Sequence, residues 1–379
     1  MLKFQMFCSL LCLLIYFTII ESLTVHFFRN GKEVTSIDYS APNLPTFQEC
    51  RACDGIILSG GQILDDDTVL QTLKTQYAAS RQLKGLTITL TKLEELEDNV
   101  FQGLQVATLK LNSNEIERIK CGAFTGLNQL IHLSLESNKL KKLESETFQN
   151  LPKLEEICLR FNQISDIQNY TFKNLPRIRK LDIAFNQIIK WDPAYLEDVQ
   201  SLSTLDLGHN NIDKILDKSF QTLQYLETLI LVDNNIKFIE HNAFVGLDNL
   251  KQLRLGLNQI SNLDVRFLSP LPNLKILDLM YNKIKSIKSE TFVNSGIMDI
   301  KLDHNDIEDI ETKAFVNLPN LTHLSLIDNN ISRFNDETMV NVPNIKHVSL
   351  EANPILWKWD TIFYMSFRFP LLITNITVF

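Results

Sequence analysis

The stretch LTHLSLIDNNI, residues 321–331, decides the fold, because close copies of it recur along most of the chain. LETLILVDNNI at 226–236 and LIHLSLESNKL at 130–140 share its spacing, Leu-x-x-Leu-x-Leu-x-x-Asn-x-Leu. Twelve copies follow one another at a period of 24 residues that twice shortens to 23. They begin at Leu83, Val106, Leu130, Leu154, Ile178, Leu202, Leu226, Leu250, Leu274, Ile297, Leu321 and Ile345. Such regular repetition predicts one stacked array of copies.

Each part of the repeated phrase has a structural task. Alternation in Leu-x-Leu predicts a short strand whose leucines point into the core while the residues between them face outward. The asparagines form a column whose amides can satisfy buried backbone groups of neighbouring copies, with Thr91 in the asparagine place of the first copy. The column comprises Asn114, Asn138, Asn162, Asn186, Asn210, Asn234, Asn258, Asn282, Asn305, Asn329 and Asn353. Stacking of the copies therefore predicts a parallel sheet, with the asparagines as structural residues.

A second column, of large apolar residues, lies further along each copy. It comprises Phe101, Phe124, Phe148, Phe172, Leu196, Phe220, Phe244, Leu268, Phe292, Phe315 and Met339. These side chains are expected to fill the core opposite the strands, where the chain takes a wider and less regular path. Because the two sides have unequal spacing, the stack is expected to bend.

The full unit, L-x-x-L-x-L-x-x-N-x-L-x-x-L-x-x-x-x-F-x-x-L, resembles the typical class of extracellular leucine-rich repeats, as in the ectodomains of Toll-like receptors, chaoptin and connectin. This resemblance covers about three-quarters of the chain, roughly Leu83 to Ile355. It implies an α/β repeat fold, a leucine-rich-repeat solenoid or curved horseshoe, with a concave parallel β-sheet and an irregular convex side. It is specific for fold and weakly specific for function, because one scaffold serves many partners.

The chain divides around this array. Residues 1–22 hold a lysine and then a long apolar run, which is typical of a secretory signal peptide, with an uncleaved signal anchor as the alternative. We expect an N-terminal cap region at 23–82, the repeat array at 83–355 and a C-terminal cap at 356–379. Within the first cap, the pattern predicts a strand at Thr24–Phe28 and a helix at Val69–Ala79. No stable membrane span is expected after signal cleavage, because charges interrupt the apolar C-terminal stretch.

The cysteines that follow the signal segment are Cys50, Cys53, Cys121 and Cys158. Cys121 and Cys158 fall at different positions of copies two apart, so their α-carbons should lie beyond the roughly 7 Å that a disulfide spans. Cys50 and Cys53 are expected to form a bridge in the N-terminal cap, with each other or with Cys121. Cys158 is expected to remain unpaired on the strand face, and a covalent tether to a partner is the alternative.

A contiguous set of apolar residues is predicted on the outward face of three successive copies. In-register strands place equivalent residues about 4.8 Å apart, so the outward columns follow directly from the sequence. Apolar residues bordered by charges suggest a protein-binding surface. Packing of the sheet edge is the alternative, and the sequence leaves both open. Together with two of the charged residues that border the apolar set, the predicted site comprises Ile230, Val232, Arg254, Leu257, Ile276, Asp278, Met280 and Tyr281.

Two further motifs concern the surface. Asp299, His323 and His347 share a column, which would suit a metal or a pH sensor, yet we interpret them as a solvated polar face without metal. Acceptor sequons for N-glycosylation occur at Asn169, Asn320, Asn330 and Asn375. None of these falls on the predicted outward columns, so the centre of the sheet face is expected to be free of glycan.

The net charge of the chain and its lack of catalytic motifs limit the classes of function that we expect. A formal net charge of -8 at pH 7 argues against nucleic acid or an anionic membrane as the main partner. No catalytic or cofactor fingerprint occurs, so we expect a protein without cofactor that is not an enzyme. The resulting hypothesis is a secreted, extracellular binding protein that recognises a protein ligand or receptor, with immune involvement implied only by the resemblance. A structural or adhesive matrix component is the alternative, and homodimerisation through sheet edges or Cys158 stays open.

Overall fold

The computed structural model describes residues 23–29, 32–39, 55–60, 73–74, 83–196, 198–263, 268–292, 296–334 and 337–355. The chain forms two compact units, Met1–Leu181 and Asp182–Phe379. The predicted signal peptide, the C-terminal cap, Cys50, Cys53 and Asn375 lie outside the described residues. So does the predicted helix at Val69–Ala79, apart from Leu73 and Lys74, which are helical.

In the first unit, strands from successive copies pair side by side. The strands of its main sheet are β1 (Leu23–Arg29), β2 (Lys32–Tyr39), β3 (Gly55–Ser59), β4 (Leu83–Thr89), β6 (Val106–Lys110), β8 (His132–Ser134), β11 (Glu156–Cys158) and β14 (Lys180–Asp182), the last at the unit's end. Two-residue strands on the other side are β5 (Glu95–Leu96), β7 (Arg118–Ile119), β9 (Lys142–Leu143), β10 (Phe148–Gln149), β12 (Asp166–Ile167) and β13 (Phe172–Lys173). From β3 to β11 the main strands run parallel.

The second unit repeats this arrangement. Its main strands are β15 (Thr204–Asp206), β17 (Thr228–Ile230), β19 (Gln252–Arg254), β20 (Ile276–Asp278), β22 (Asp299–Lys301), β25 (His323–Ser325) and β27 (His347–Ser349), all parallel. Two-residue strands are β16 (Lys214–Ile215), β18 (Phe238–Ile239), β21 (Ser286–Ile287), β23 (Asp309–Ile310), β24 (Phe315–Val316) and β26 (Met339–Val340). A 3-10 helix spans Pro193–Leu196. The predicted parallel-sheet solenoid is confirmed, and the side opposite the main strands consists of turns and short strands with almost no helix.

Strands before the first copy extend the sheet of the first unit. β1 pairs antiparallel with both β2 and β3, and β3 runs parallel to β4. The strand expected at Thr24–Phe28 is therefore confirmed within β1, whereas β2 and β3 were not predicted. Because these strands continue the hydrogen bonding beyond β4, the first copy has a paired neighbour on its N-terminal side.

The asparagine column holds adjacent coils together, as the sequence predicts. Asn138 donates through Nδ2 to the carbonyls of Leu111, one coil earlier, and Leu135, in its own coil, at 2.8 and 2.9 Å. Its Oδ1 accepts from the backbone N–H of Ile116 at 3.1 Å. Thr91, in the asparagine place of the first copy, donates through Oγ1 to Asn114 at 2.7 Å. These buried amides satisfy backbone groups that the turning chain leaves without a strand partner.

The phenylalanine column fills the core on the opposite side. Its eight phenylalanines are the largest fully buried side chains among the described residues. In the first unit Phe124, Phe148 and Phe172 stack with centroids 5.6 and 5.3 Å apart. Where Leu196 replaces phenylalanine in the second unit, Trp191 takes over the contact and stacks on Phe220 at 6.2 Å. The sequence pattern did not predict that role for Trp191.

Exposed polar groups also join neighbouring coils. Glu115 accepts from Lys139 Nζ at 2.8 Å, and this hydrogen bond lowers the pKa of the Glu115 carboxyl. The backbone and side-chain N–H groups of Asn242 lower the pKa of Asp217 in the same way. Such exposed contacts are screened by water and contribute little each, so they add only slightly to the cohesion that the sheet hydrogen bonds and the buried columns provide.

Candidate functional site

The outward columns of the strands are in register, as predicted. Ile230 in β17 lies beside Arg254 in β19, which lies beside Asp278 in β20. One row away, Gln252 lies beside Ile276. The eight residues proposed from the sequence therefore occupy three neighbouring coils of the second unit. We refer to these eight residues as the Ile230–Tyr281 patch.

Six of the eight residues of this patch are apolar. Leu257 and Tyr281 are 46% and 47% exposed. The four other apolar members are half-buried, namely Ile230, Val232, Ile276 and Met280. Leu257 and Tyr281 are therefore the most accessible apolar members of the patch, and packing of the sheet edge remains the alternative to a binding surface.

Two glycines shape the surface around Val232. Gly208 and Gly256 hold the equivalent position in the coils on either side. A Cβ atom added at Gly256 would lie 3.3 Å from Asp278 Oδ1 and from the Met280 carbonyl oxygen. Because these two glycines have no side chains, the Val232 side chain projects further from the sheet than the residues on either side of it in this row.

The two charged members of the patch have different roles. Asp278 Oδ1 accepts from the backbone N–H of Met280 at 3.0 Å, so this carboxylate closes the turn that ends β20. Arg254 is exposed and donates through Nη2 to Gln252 at 3.2 Å. Within the described part of the chain the Arg254 guanidinium forms no ion pair, although Asp278 is its register neighbour. Arg254 is thus the exposed charged group of the patch.

A ladder of side chains runs along the edge of the patch, at the position that follows the last outward residue of each strand, and Leu257 and Tyr281 belong to both the ladder and the patch. Leu257, Tyr281 and His304 adopt left-handed backbone conformations with φ of 56°, 56° and 54°. Left-handed backbone is unfavourable for bulky residues, and here each residue is held by a backbone hydrogen bond to the next coil. For Tyr281 this bond runs to the carbonyl of Asp303 at 2.9 Å. The shared conformation aims equivalent side chains in the same direction, so they stack.

The stacking produces two similar triads in the second unit. The Tyr281 ring lies 4.2 Å from the His304 ring, and His304 Nδ1 lies 2.7 Å from Asp328 Oδ2. The other triad joins Phe185, His209 and Asp233 at 3.8 and 2.7 Å. These triads were not predicted, although the regular spacing of their residues in the sequence was the signal that could have revealed them.

The histidine column is in register, with the imidazoles of His323 and His347 stacked at 4.9 Å beside Asp299. In the ranges that the structure describes, no three or more His, Cys, Asp or Glu side chains are arranged to hold a metal ion. Asn169, Asn320 and Asn330 are exposed, as a glycosylated residue must be. Cys121 is exposed and Cys158 is half-buried in β11, and no disulfide joins the two.

Comparison with known proteins identifies the repeat. The family model described as leucine rich repeat matches residues 81–140, 105–164, 129–188, 200–260, 248–297 and 295–355. A curated relative, leucine-rich repeat-containing protein let-4 of Caenorhabditis elegans, is 31% identical over 93 residues, which cover 21% of this chain and 12% of that protein. None of the described helices is long and apolar enough to cross a membrane.

Solved structures share the fold at low sequence identity. The Drosophila Toll chain, in its complex with Spatzle, matches with a TM-score of 0.60 and 18% identity over 86% of this chain and 51% of that chain. TLR13, in complex with ssRNA13, matches with a TM-score of 0.55 and 22% identity over 81% of this chain and 55% of that chain. The present chain therefore spans about half of the length of these two proteins.

Proposed function

Because the chain belongs to the leucine-rich repeat family, we propose that it is a secreted binding protein whose Ile230–Tyr281 patch recognises a protein ligand or receptor. One observation carries the proposal. Three neighbouring coils expose contiguous apolar side chains beside an arginine that forms no ion pair within the described residues. The residues that contribute most to binding in protein interfaces are often large apolar side chains and arginines, and this patch contains both.

Protein is favoured over nucleic acid as the partner. The TLR13 structure holds RNA, so RNA binding occurs on this fold. Binding of nucleic acid depends on many lysines and arginines that neutralise phosphates. The present chain has a formal net charge of -8, and Arg254 is the one basic residue of the patch. The Toll chain in complex with Spatzle illustrates the alternative of a protein partner on this fold.

Binding is also favoured over catalysis. The described strands form an open sheet face, which excludes water poorly, whereas most reaction sites need a sheltered environment. Leucine-rich repeats are typically recognition modules, and the patch has the apolar character of a contact surface. A structural or adhesive role in the extracellular matrix is the second candidate. A matrix protein would use the same scaffold. It would differ from a specific binding protein because it would bind many copies of one abundant matrix component.

The proposal is tested by a single charge placed in the patch. Met280 is half-buried at the outward position of its coil, and replacing it by glutamate would put a charge into a surface that partner binding must desolvate. We expect Met280→Glu to abolish partner capture when the purified chain is immobilised and exposed to extracellular fluid, with retained proteins identified by mass spectrometry. The melting temperature should stay near that of the natural chain.

Ile327 provides a matched control. It is half-buried at the equivalent position two coils away, outside the patch, so Ile327→Glu introduces the same charge in the same structural setting. A protein retained by the natural chain and by Ile327→Glu but lost with Met280→Glu supports the proposal. The proposal is contradicted if the partner is retained by the natural chain and by both variants. It is also contradicted if the partner is lost from both variants. Retention of a single abundant matrix protein at high stoichiometry would instead favour the adhesive role.

A further inference from the structure

An open cavity of about 750 Å³ lies on the ladder at the Tyr281 border of the patch. Its lining includes Tyr281, Lys285, His304, Asp306, Asp328 and Asn330. All six belong to the second unit and lie on three successive coils. The cavity is distinct from the outward strand columns because its residues follow those columns along the chain.

The lining favours a neutral ligand rich in hydroxyl groups. Tyr281 and His304 stack face to face, so the cavity meets ring edges and the tyrosine hydroxyl. Asp306, Glu308 and Asp328, which all line the cavity, supply carboxylate oxygens that accept hydrogen bonds from hydroxyl groups, and Lys285 supplies a donor. Three carboxylates against one ammonium would repel phosphate or sulfate. A saccharide, with hydroxyl groups around an apolar ring, matches this combination of groups.

One residue on the cavity can carry a saccharide covalently. Asn330 begins the acceptor sequence Asn-Ile-Ser and is exposed. Its backbone is fixed, because its N–H donates to the Ile307 carbonyl at 2.9 Å. Its side-chain amide makes no hydrogen bond to any residue that the structure describes. We propose that an N-glycan on Asn330 folds back into this cavity and covers the exposed edge of Tyr281.

The second triad offers an internal comparison. Asn235 follows Asp233 of the Phe185–His209–Asp233 triad by two residues, just as Asn330 follows Asp328 of the Tyr281–His304–Asp328 triad by two residues. Lys237 follows where a glycosylation sequence requires serine or threonine. The Asn235 amide oxygen accepts instead from Gln259 at 3.0 Å. The same side-chain ladder is therefore covered by glycan at one place and open at the other.

This assignment rests on the proposed secretion, because N-glycans are added only to chains that enter the secretory pathway. It deepens the proposed function by giving the patch a border. The glycan takes Tyr281 out of the contact surface, so a protein partner contacts the other seven residues of the patch, of which Leu257 is the most exposed apolar member.

Hydroxyl-radical footprinting of the isolated chain tests the proposal without any partner. The chain is secreted from insect or mammalian cells with its own residues 1–22, and side-chain oxidation is measured by mass spectrometry. We expect Tyr281 to oxidise severalfold faster in Asn330→Gln than in the natural chain. Ser332→Ala, which removes the sequon but keeps Asn330, should give the same increase. Phe185 should oxidise equally in all three proteins.

Asn320→Gln is the matched control, since it removes a neighbouring exposed sequon that does not line the cavity, and Tyr281 oxidation should not change. Equal Tyr281 oxidation in the natural chain and both sequon variants, with sugar present on Asn330, overturns the proposal. Sugar on Asn169 and Asn320 but not on Asn330 overturns it as well and leaves the proposed secretion intact. Sugar on none of the sequons overturns the cavity proposal in the same way, whereas failure of the cells to secrete the chain would overturn the proposed secretion.

Discussion

Asn258 shows how one side chain connects coils of this chain. Its Nδ2 donates to the carbonyls of Leu231 and Leu255 at 2.9 and 3.0 Å, and its Oδ1 accepts from Ile236 N–H at 3.1 Å. All of these groups are buried, and two of them belong to the preceding coil. A buried polar group left without a partner costs about 1–3 kcal/mol, so this amide protects several groups at once.

Replacing Asn258 by alanine should therefore be costly. We expect the free energy of unfolding to fall by about 2–4 kcal/mol in urea denaturation, because backbone groups of two coils lose their partner. Asn235 is the control, since its side chain is exposed and has the single bond from Gln259. Asn235→Ala should change stability by less than about 0.5 kcal/mol. Similar losses for both variants would show that the buried column has no special role.

At the level of single residues, the sequence predicted the residues that recur in every copy. It did not predict the roles of residues that depart from the repeated pattern. The asparagine and phenylalanine columns were predictable because each occupies one fixed position of the copy. Trp191 was not, because it replaces a phenylalanine from a different position in its coil. The Tyr281–His304 stack was also missed. It depends on left-handed backbone at Tyr281 and His304, which simple strand alternation does not include.

Among structural elements, the two sides of a coil differ in how they are stabilised. The main strands are joined by parallel backbone hydrogen bonds, whereas the opposite side has two-residue strands and turns. There the stacked phenylalanines supply the cohesion that short strands cannot. Phe244 is fully buried and stacks on Phe220 at 6.1 Å, while Phe238, in the same coil, is 68% exposed.

This coil permits a direct comparison of two phenylalanines. Phe244→Ala should lower the free energy of unfolding by about 3–5 kcal/mol, because it removes buried apolar surface and leaves a cavity. Phe238→Ala, in β18, should change it by less than about 0.5 kcal/mol. Thermal and urea denaturation of the two variants provide the measurement. If Phe238→Ala proved as destabilising as Phe244→Ala, the assignment of the core would be wrong.

The elements before the first copy were less predictable than those within the array. β2 and β3 contain no repeated phrase, and their pairing depends on contacts between residues far apart in sequence. A single strand was inferred from local alternation at Thr24–Phe28, but its partners were not. The array was predictable because its twelve copies supply twelve versions of one pattern, and a unique segment lacks that redundancy.

For the molecule as a whole, each coil contacts chiefly its neighbours in sequence. In the second unit the register of β15 on β17 is the same as that of β17 on β19, one period later. The stability of such an array is approximately a sum of coil terms and interface terms. One complete period should therefore be removable without loss of the fold, whereas a fraction of a period should not.

Deletion of residues 226–249 tests this expectation. It joins Tyr225 to Leu250, so that β15 can pair with β19 and Asn258 can accept from Ile212 N–H instead of Ile236 N–H. We expect a folded chain by far-UV circular dichroism with a cooperative urea transition. Its m-value should be smaller because less surface is exposed on unfolding. Deletion of residues 226–237, half a period, would bring Phe238 and its successors to strand positions and bury polar groups, so that chain should fail to fold. Equal behaviour of the two deletions would mean that the period does not set the register of the coils.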